Sequence, residues 1–180
     1  MKLKVIGETS IKRELYFAAA HSLHDITLEF LPPEADKEEL WRSIDSEKDA
    51  DYIVLAVGED MAEGIIGGKT PIVVPRIHNC AQLALGSGER YRKIFSENED
   101  SPCWLNCYGE KQPDSHGTPC YIGGVLPRPE LPDGTREYIS DFSFLQDLLN
   151  GEWDREDIFI LKEGERIIKD ALEILDSEAF

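Results

Sequence analysis

Three cysteines and one histidine occur in the sequence at a spacing that suits a metal site. The pattern is Cys103-x3-Cys107-x8-His116-x3-Cys120. Thiolate and imidazole ligands in this number can complete a tetrahedral zinc site, whereas calcium and magnesium prefer oxygen ligands. The spacing therefore predicts zinc binding by these four residues. An iron–sulfur cluster with Cys80 in place of His116 is a second interpretation, and incidental thiols in a mobile loop are a third.

A histidine and another cysteine lie two positions apart, where a predicted strand is followed by a predicted helix. The strand is the apolar run 72–74, bounded by two prolines, and His78 and Cys80 come after it. Open α/β folds bind ligands where such strands end, and the N-terminus of a helix lowers the pKa of a thiol. Cys80 is therefore a candidate nucleophile or redox thiol, with His78 as proton carrier. Alternatively, Cys80 packs as a small hydrophobic side chain and His78 is hydrogen-bonded within its turn.

Acidic residues follow two other predicted strands. Glu8 comes after the first strand, and Glu59 and Asp60 come after the third. Because the carboxyl ends of parallel strands meet at one edge of a sheet, we expect these residues around the same crevice as His78 and Cys80. Glu59 is a candidate proton carrier, and Glu8 and Asp60 are candidates for holding a metal or cofactor. The alternative is that all three are ordinary turn residues.

Arginines are the basic residues nearest to this predicted crevice. Arg76 lies in the turn before Cys80, and Arg90 and Arg92 follow in the next predicted helix. Arg76 is a candidate for holding an anionic substrate or cofactor tail, or it pairs with the abundant carboxylates. The sequence contains no nucleotide-binding fingerprint and no Gly-x-Ser-x-Gly nucleophile motif.

Hydrophobic periodicity predicts the elements that position these residues. Strands are predicted over residues 3–6, 26–31, 52–57, 72–74 and 158–161. Helices are predicted over residues 11–23, 36–44, 61–66, 80–85, 89–95, 142–149 and 163–175. The alternation of strands and helices, with near-continuous apolar runs such as 52–57, predicts an α/β fold. We expect an open, mainly parallel sheet in a Rossmann-like three-layer arrangement, as one domain over residues 1–180.

Residues 97–137 differ in composition from the rest of the chain. Proline, glycine, aspartate and serine dominate this stretch, and it holds three of the four cysteines. A long irregular segment is uncommon inside a domain unless it is functional or held by a cross-link. We therefore expect an irregular loop region that is stapled by the metal.

The composition limits the classes of partner. The chain has 180 residues, 41% of them hydrophobic, and a formal net charge of −17. This charge argues against nucleic acid and anionic membranes as partners. No apolar run reaches membrane-spanning length, and the N-terminus lacks the apolar region of a signal peptide. A cytoplasmic protein is expected, and in that compartment its four cysteines would be reduced, metal-bound or redox-active.

Three stretches resemble a known family. They are VIGETSIKREL near the start, VPRIHNCAQLALGSGERY in the middle and GERI near the end. They look like the uncharacterised domain-of-unknown-function family sixteen thirty-eight, which is frequent in methanogens, among the archaea, and in other anaerobes. The resemblance covers residues 1–95 and, thinly, the C-terminal region, and residues 78–91 are its most specific part.

The resemblance implies a metabolic setting and a difference at the crevice. Members often occur near genes for corrinoid-dependent methyl transfer, which implies a role in one-carbon metabolism. They usually carry further cysteines after strands one and three, which with Cys80 would form a three-thiol site. Here the matching positions hold Gly7 and approximately Asp60. The resemblance implies either that this site is lost or that carboxylates and residues 103–120 replace it.

Three function hypotheses follow. The leading one is a cytoplasmic metal-binding accessory protein of anaerobic one-carbon or corrinoid metabolism, with an unknown protein or a corrinoid-related partner. The second is a thiol-dependent enzyme that uses Cys80 with His78 or Glu59. The third is a non-catalytic interaction domain that uses its acidic surface. The sequence leaves the oligomeric state open.

Overall fold

A five-stranded sheet forms the centre of this computed structural model, which describes residues 1–112, 114–168 and the backbone of 173–175. Its strand order is β2-β1-β3-β4-β8, with β8 antiparallel and the others parallel. The strands are β1 Lys2–Glu8, β2 Asp25–Leu31, β3 Tyr52–Ala56, β4 Ile72–Pro75, β5 Pro102–Trp104, β6 Thr118–Gly123, β7 Arg136–Ile139, β8 Ile158–Leu161, β9 Arg166–Ile168 and β10 Glu173–Leu175.

Helices cover both faces of this sheet. They are α1 Lys12–Ala20, α2 Lys37–Ser46, α3 Glu59–Ala62, α4 Cys80–Leu85, α5 Gly88–Glu97 and α6 Ser143–Asn150, and a 3₁₀ turn over Thr9–Ile11 precedes α1. In β1, Leu3 and Val5 face the core beneath α1, α4 and α6, and Ile6 faces the core beneath α2 and α3. The two faces therefore form two cores, which confirms the predicted open, mainly parallel α/β fold. In the described part of the chain, no helix is long and apolar enough to cross a membrane.

A second sheet lies within residues 97–137, where the sequence predicted irregular structure. The strands β5, β6 and β7 are parallel and pair in that order. They are short and two of them contain a proline, Pro102 or Pro119, so they carry little of the hydrophobic alternation that marks a strand. Trp104 and Tyr138 pack against Tyr91 of α5, so this sheet is attached through α4 and α5.

The predicted helix over residues 163–175 is wrong where the structure describes it. β9 and β10 form an antiparallel pair instead. Backbone hydrogen bonds explain the extended conformation of β9, because Ile167 N donates to Ile65 O at 3.0 Å and Gly64 N donates to Ile167 O at 2.8 Å. The helical pattern predicted that Ile167, Ile168, Ala171, Leu172 and Leu175 face inward. Ala171, Leu172 and the side chain of Leu175 lie outside the described residues.

Candidate functional site

The carboxyl ends of β1, β3 and β4 lie side by side, as the strand pattern predicted. Two backbone amides join the turns that follow these strands. Gly58 N donates to Glu8 Oε1 at 3.0 Å, and Glu59 N donates to His78 O at 3.3 Å. The turns after three neighbouring strands therefore form one edge, where open α/β folds bind ligands.

A cavity of about 310 Å³ opens at this edge. Three thiols, two carboxyls and an imidazole line it: Cys80, Cys103, Cys107, Glu8, Glu14 and His116. Glu8, Glu14 and Cys80 come from β1, α1 and α4, whereas the other three come from residues 97–137. The cavity therefore lies between the large sheet and the segment that carries the small sheet.

Cys80 lies deep in the cavity wall, with 4% of its surface exposed. Its Sγ lies 3.4 Å from the carbonyl oxygen of Ala56. Burial raises the pKa of this thiol well above its ordinary value, and the neighbouring Glu8 carboxyl raises it further. The predicted lowering of the Cys80 pKa by the helix N-terminus is therefore wrong, because desolvation of the thiolate outweighs the effect of one helix end.

His78 faces a different surface from Cys80. Its side chain is 57% exposed and lies in a shallow groove with Tyr91 and Phe95. Nδ1 lies 2.7 Å from the Tyr91 hydroxyl, and Nε2 lies 3.5 Å from Glu59 Oε1. The structure thus brings His78 and Glu59 together, but it does not bring either of them into the cavity that contains Cys80.

Arg76 and Asp60 also lie away from the cavity lining. The Arg76 guanidinium sits over the Phe159 ring, 4.9 Å from its centroid, on the side of β8. Asp60 is an exposed residue in the first turn of α3. Of the three residues expected to hold a cofactor, only Glu8 lines the cavity.

The four predicted zinc ligands are divided by the small sheet. Cys103 pairs in register with Pro119, and Trp104 pairs with Cys120. Paired residues point to the same face of a sheet and consecutive residues alternate, so Cys103 and Cys120 point to opposite faces. Cys120 is completely buried and does not line the cavity. The cavity is lined by the other three predicted ligands, Cys103, Cys107 and His116. Cys80, which was not in the predicted set, also lines it.

The two cavity thiols from residues 97–137 each lie near an oxygen atom. Cys103 Sγ donates to Ser115 Oγ at 3.2 Å, and Cys107 Sγ lies 3.9 Å from the carbonyl oxygen of Thr9. Burial raises the pKa of the Cys107 thiol. Among the described residues, no three His, Cys, Asp or Glu side chains stand close enough together to hold a metal ion.

Glu14 is a cavity residue that the sequence analysis missed. It lies on the buried face of α1 with Ile11, Leu15 and Ala18, and only 4% of its surface is exposed. Burial raises the pKa of its carboxyl, and the neighbouring Arg13 opposes this only in part. The sequence does contain a signal for this residue, because Glu14 falls within the apolar stripe of a predicted helix, where a carboxylate is unusual.

Position 7, one of the two crevice positions where the sequence analysis considered a cysteine, has little room for a side chain. A Cβ atom at this position would lie 2.4 Å from Leu15 Cδ1 in the core beneath α1. A cysteine at position 7 therefore requires Leu15 to move. In this chain the thiols that accompany Cys80 come instead from residues 97–137.

The fold and the cavity define a class of protein: an open α/β protein with a pocket of thiols and carboxyls at the carboxyl edge of its sheet. No family model matches the chain, and no curated protein or solved structure matches it either. The chemistry of the site is therefore argued from the arrangement of the chain's own residues.

Proposed function

We propose that this protein is a cytoplasmic metal-binding accessory protein that holds zinc in the cavity at the carboxyl edge of its sheet. The observation that carries the proposal is that thiols from two separate parts of the sequence, Cys80 and the pair Cys103 and Cys107, line one cavity with His116. Thiolate and imidazole are the ligands that zinc prefers in proteins.

The chemistry of the donors supports a soft metal ion. The carboxyls of Glu8 and Glu14 add negative charge to the same cavity, which favours a cation. Buried thiols with raised pKa values hold their protons until a metal displaces them, so binding should release protons and strengthen as the pH rises. Binding also requires the segment that carries Cys103, Cys107 and His116 to close around the ion.

The proposed ligand set differs from the sequence-based set at one position. Cys80 replaces Cys120, because Cys120 faces away from the cavity. Zinc held in this way would fasten residues 97–137 to the large sheet as a structural site, because four protein ligands would fill its coordination sphere. An iron–sulfur cluster on the thiols is the alternative occupant.

The resemblance to the family of anaerobes supports a setting for this metal site. It points to one-carbon or corrinoid metabolism, with a protein or corrinoid-related molecule as partner. In that setting the chain would supply or hold the metal for a partner enzyme, which is why we describe it as an accessory protein.

Metal titration of cysteine variants tests the proposal. Protein purified without oxygen and stripped by a chelator should take up one zinc ion per chain, and cobalt in its place should give thiolate-to-cobalt charge-transfer absorption. Cys80→Ser and Cys103→Ser should each weaken zinc binding at least tenfold. Cys120→Ser is the matched control, because it removes a buried thiol that does not line the cavity, and it should bind zinc as the wild type does.

Other results would separate the alternatives. Loss of zinc binding in Cys120→Ser, with no effect of Cys80→Ser, would restore the ligand set given by the sequence spacing. Failure of the wild type to bind zinc or iron would overturn the metal-binding function altogether. Iron together with inorganic sulfide in the anaerobic protein would replace zinc by a cluster.

A further inference from the structure

The carboxyl group of Glu14 points to a ligand that the thiols do not explain. Glu14 lines the cavity and is 96% buried, since 4% of its surface is exposed. Its Oε2 atom has no hydrogen-bond partner in the part of the chain that the structure describes. A buried polar atom left without a partner loses its hydration without compensation, so such atoms are rare unless a ligand or water satisfies them.

The charges around Glu14 favour a cation. Glu8 adds a second carboxyl to the lining, and among the described residues no lysine or arginine lines the cavity. Arg13 is the nearest cation to consider, but its guanidinium donates to Pro127 O and, at 2.6 Å, to the Tyr121 hydroxyl. The cavity therefore presents carboxylate oxygens that the neighbouring arginine does not neutralise by direct contact.

Two aromatic rings make the lining suitable for an organic cation. Trp104 and Tyr121 both line the cavity on the side of the small sheet. Aromatic faces attract ammonium and guanidinium groups, and tryptophan does so best. The volume of about 310 Å³ lies at the lower end of the range for small-molecule sites.

We propose that the cavity binds a small organic cation, a protonated amine or amidinium, whose N–H group donates to the carboxylate of Glu14. The aromatic rings contact the apolar body of this ligand, and Glu8 contributes to its electrostatic attraction. The inference goes beyond metal binding and does not rest on it, because Glu14 is not one of the proposed zinc ligands.

A charge series of matched probes tests the inference. Benzamidinium, benzamide and benzoate have nearly the same shape but carry a positive, a zero and a negative charge. Calorimetric titration of the chelator-stripped protein and of the zinc-treated protein should show binding of benzamidinium in both. Benzamide should bind at least tenfold more weakly than benzamidinium, and benzoate should not bind.

Variants and spectroscopy locate the bound probe. Glu14→Gln should weaken benzamidinium binding at least tenfold, and Glu163→Gln, which alters an exposed carboxyl, should leave it unchanged. In the wild-type protein, NMR should show that benzamidinium shifts the indole N–H signal of Trp104, while Trp41 and Trp153, which do not line the cavity, serve as internal references. This second measurement needs no variant to fold.

Several outcomes would overturn the inference. Equal affinity for benzamide and benzamidinium would remove the role of charge, and stronger binding of benzoate would reverse it. Benzamidinium binding that is unaffected in a folded Glu14→Gln protein, or that leaves the Trp104 signal unmoved, would place the probe elsewhere. A lack of zinc uptake with normal benzamidinium binding would overturn the metal-binding function alone.

Discussion

The buried carboxyl of Glu14 should make the stability of the protein depend on pH. Burial holds the pKa of its carboxyl above the ordinary value of 4.5, so between these two pKa values the folded chain holds a proton that the unfolded chain has lost. The contribution of this residue to stability is therefore fully present below 4.5 and is lost as the pH rises through the raised pKa. Glu14→Gln removes the titration, so its stability relative to the wild type should increase as the pH rises from 4.5 through the raised pKa.

Urea unfolding at a series of pH values measures this difference. Glu163→Gln is the matched control, because it makes the same chemical change at an exposed position, and its difference from the wild type should vary little with pH. A constant difference between Glu14→Gln and the wild type over the whole range would show that Glu14 has an ordinary pKa in the folded protein.

The sequence identified which residues carry reactive groups, but it did not reveal the environment of each side chain. Cys80 was expected at a helix start, and it is the first residue of α4. Its burial against Ala56 of β3 and against the residues that follow β1 depends on packing between distant segments, which sequence spacing does not contain. The same limit applies to Cys120, whose direction depends on the register between β5 and β6.

The close approach of β1 and α1 predicts how the two elements respond to a larger side chain at position 7. A Cβ atom at Gly7 would overlap Leu15 Cδ1, so Gly7→Ala should destabilise the protein by about 1–3 kcal/mol, as overpacked cores do. Leu15→Ala removes the overlapping atom, so in that background Gly7→Ala should cost much less. Chemical denaturation of both single variants and the double variant measures the coupling.

Gly68→Ala is the control for this pair. No heavy atom lies within 4 Å of a Cβ built at Gly68, so the substitution should change stability by less than about 0.5 kcal/mol. Equal costs of Gly7→Ala with and without the Leu15 side chain would mean that the overlap is not what limits position 7.

Elements with strong hydrophobic patterns were predicted well, and elements without such a pattern were not. The strands of the large sheet carry runs such as residues 52–56, which are apolar on both faces, and their parallel order follows from the intervening helices. The strands of the small sheet carry little hydrophobic alternation, and two of them contain a proline, so no strand pattern is visible in the sequence. In β9, Ile167 and Ile168 fit the helical spacing by chance, while backbone contacts with residues 64–67 determine their extended conformation.

The net charge of −17 should make the stability of the whole molecule depend on salt concentration. A large charge of one sign destabilises the compact state through self-repulsion, and added salt screens it. Raising sodium chloride from about 0.02 M to about 0.5 M should therefore increase the free energy of unfolding, by roughly 1 kcal/mol, as the screening length falls below 10 Å. Urea denaturation at each salt concentration measures the increase.

A charge-reduced variant is the control for the salt effect. Replacing the exposed residues Glu34, Asp133 and Glu156 by lysine adds two charges at each position and changes the net charge from −17 to −11. This variant should gain less stability from salt than the wild type does. An equal gain in both proteins would assign the salt effect to something other than self-repulsion.

The antiparallel pairing of β8 with β4 bears on how the chain folds while it is being made. Ile72 of β4 pairs with Leu161 of β8, so the partner of a strand in the first half of the chain leaves the ribosome 89 residues later. Until then one edge of β4 has unpaired N–H and C=O groups, and such edges pair readily with other chains. The cavity residues, from Glu8 to Ile122, all precede β8 in the sequence, so they are synthesised before this edge of the large sheet can be covered.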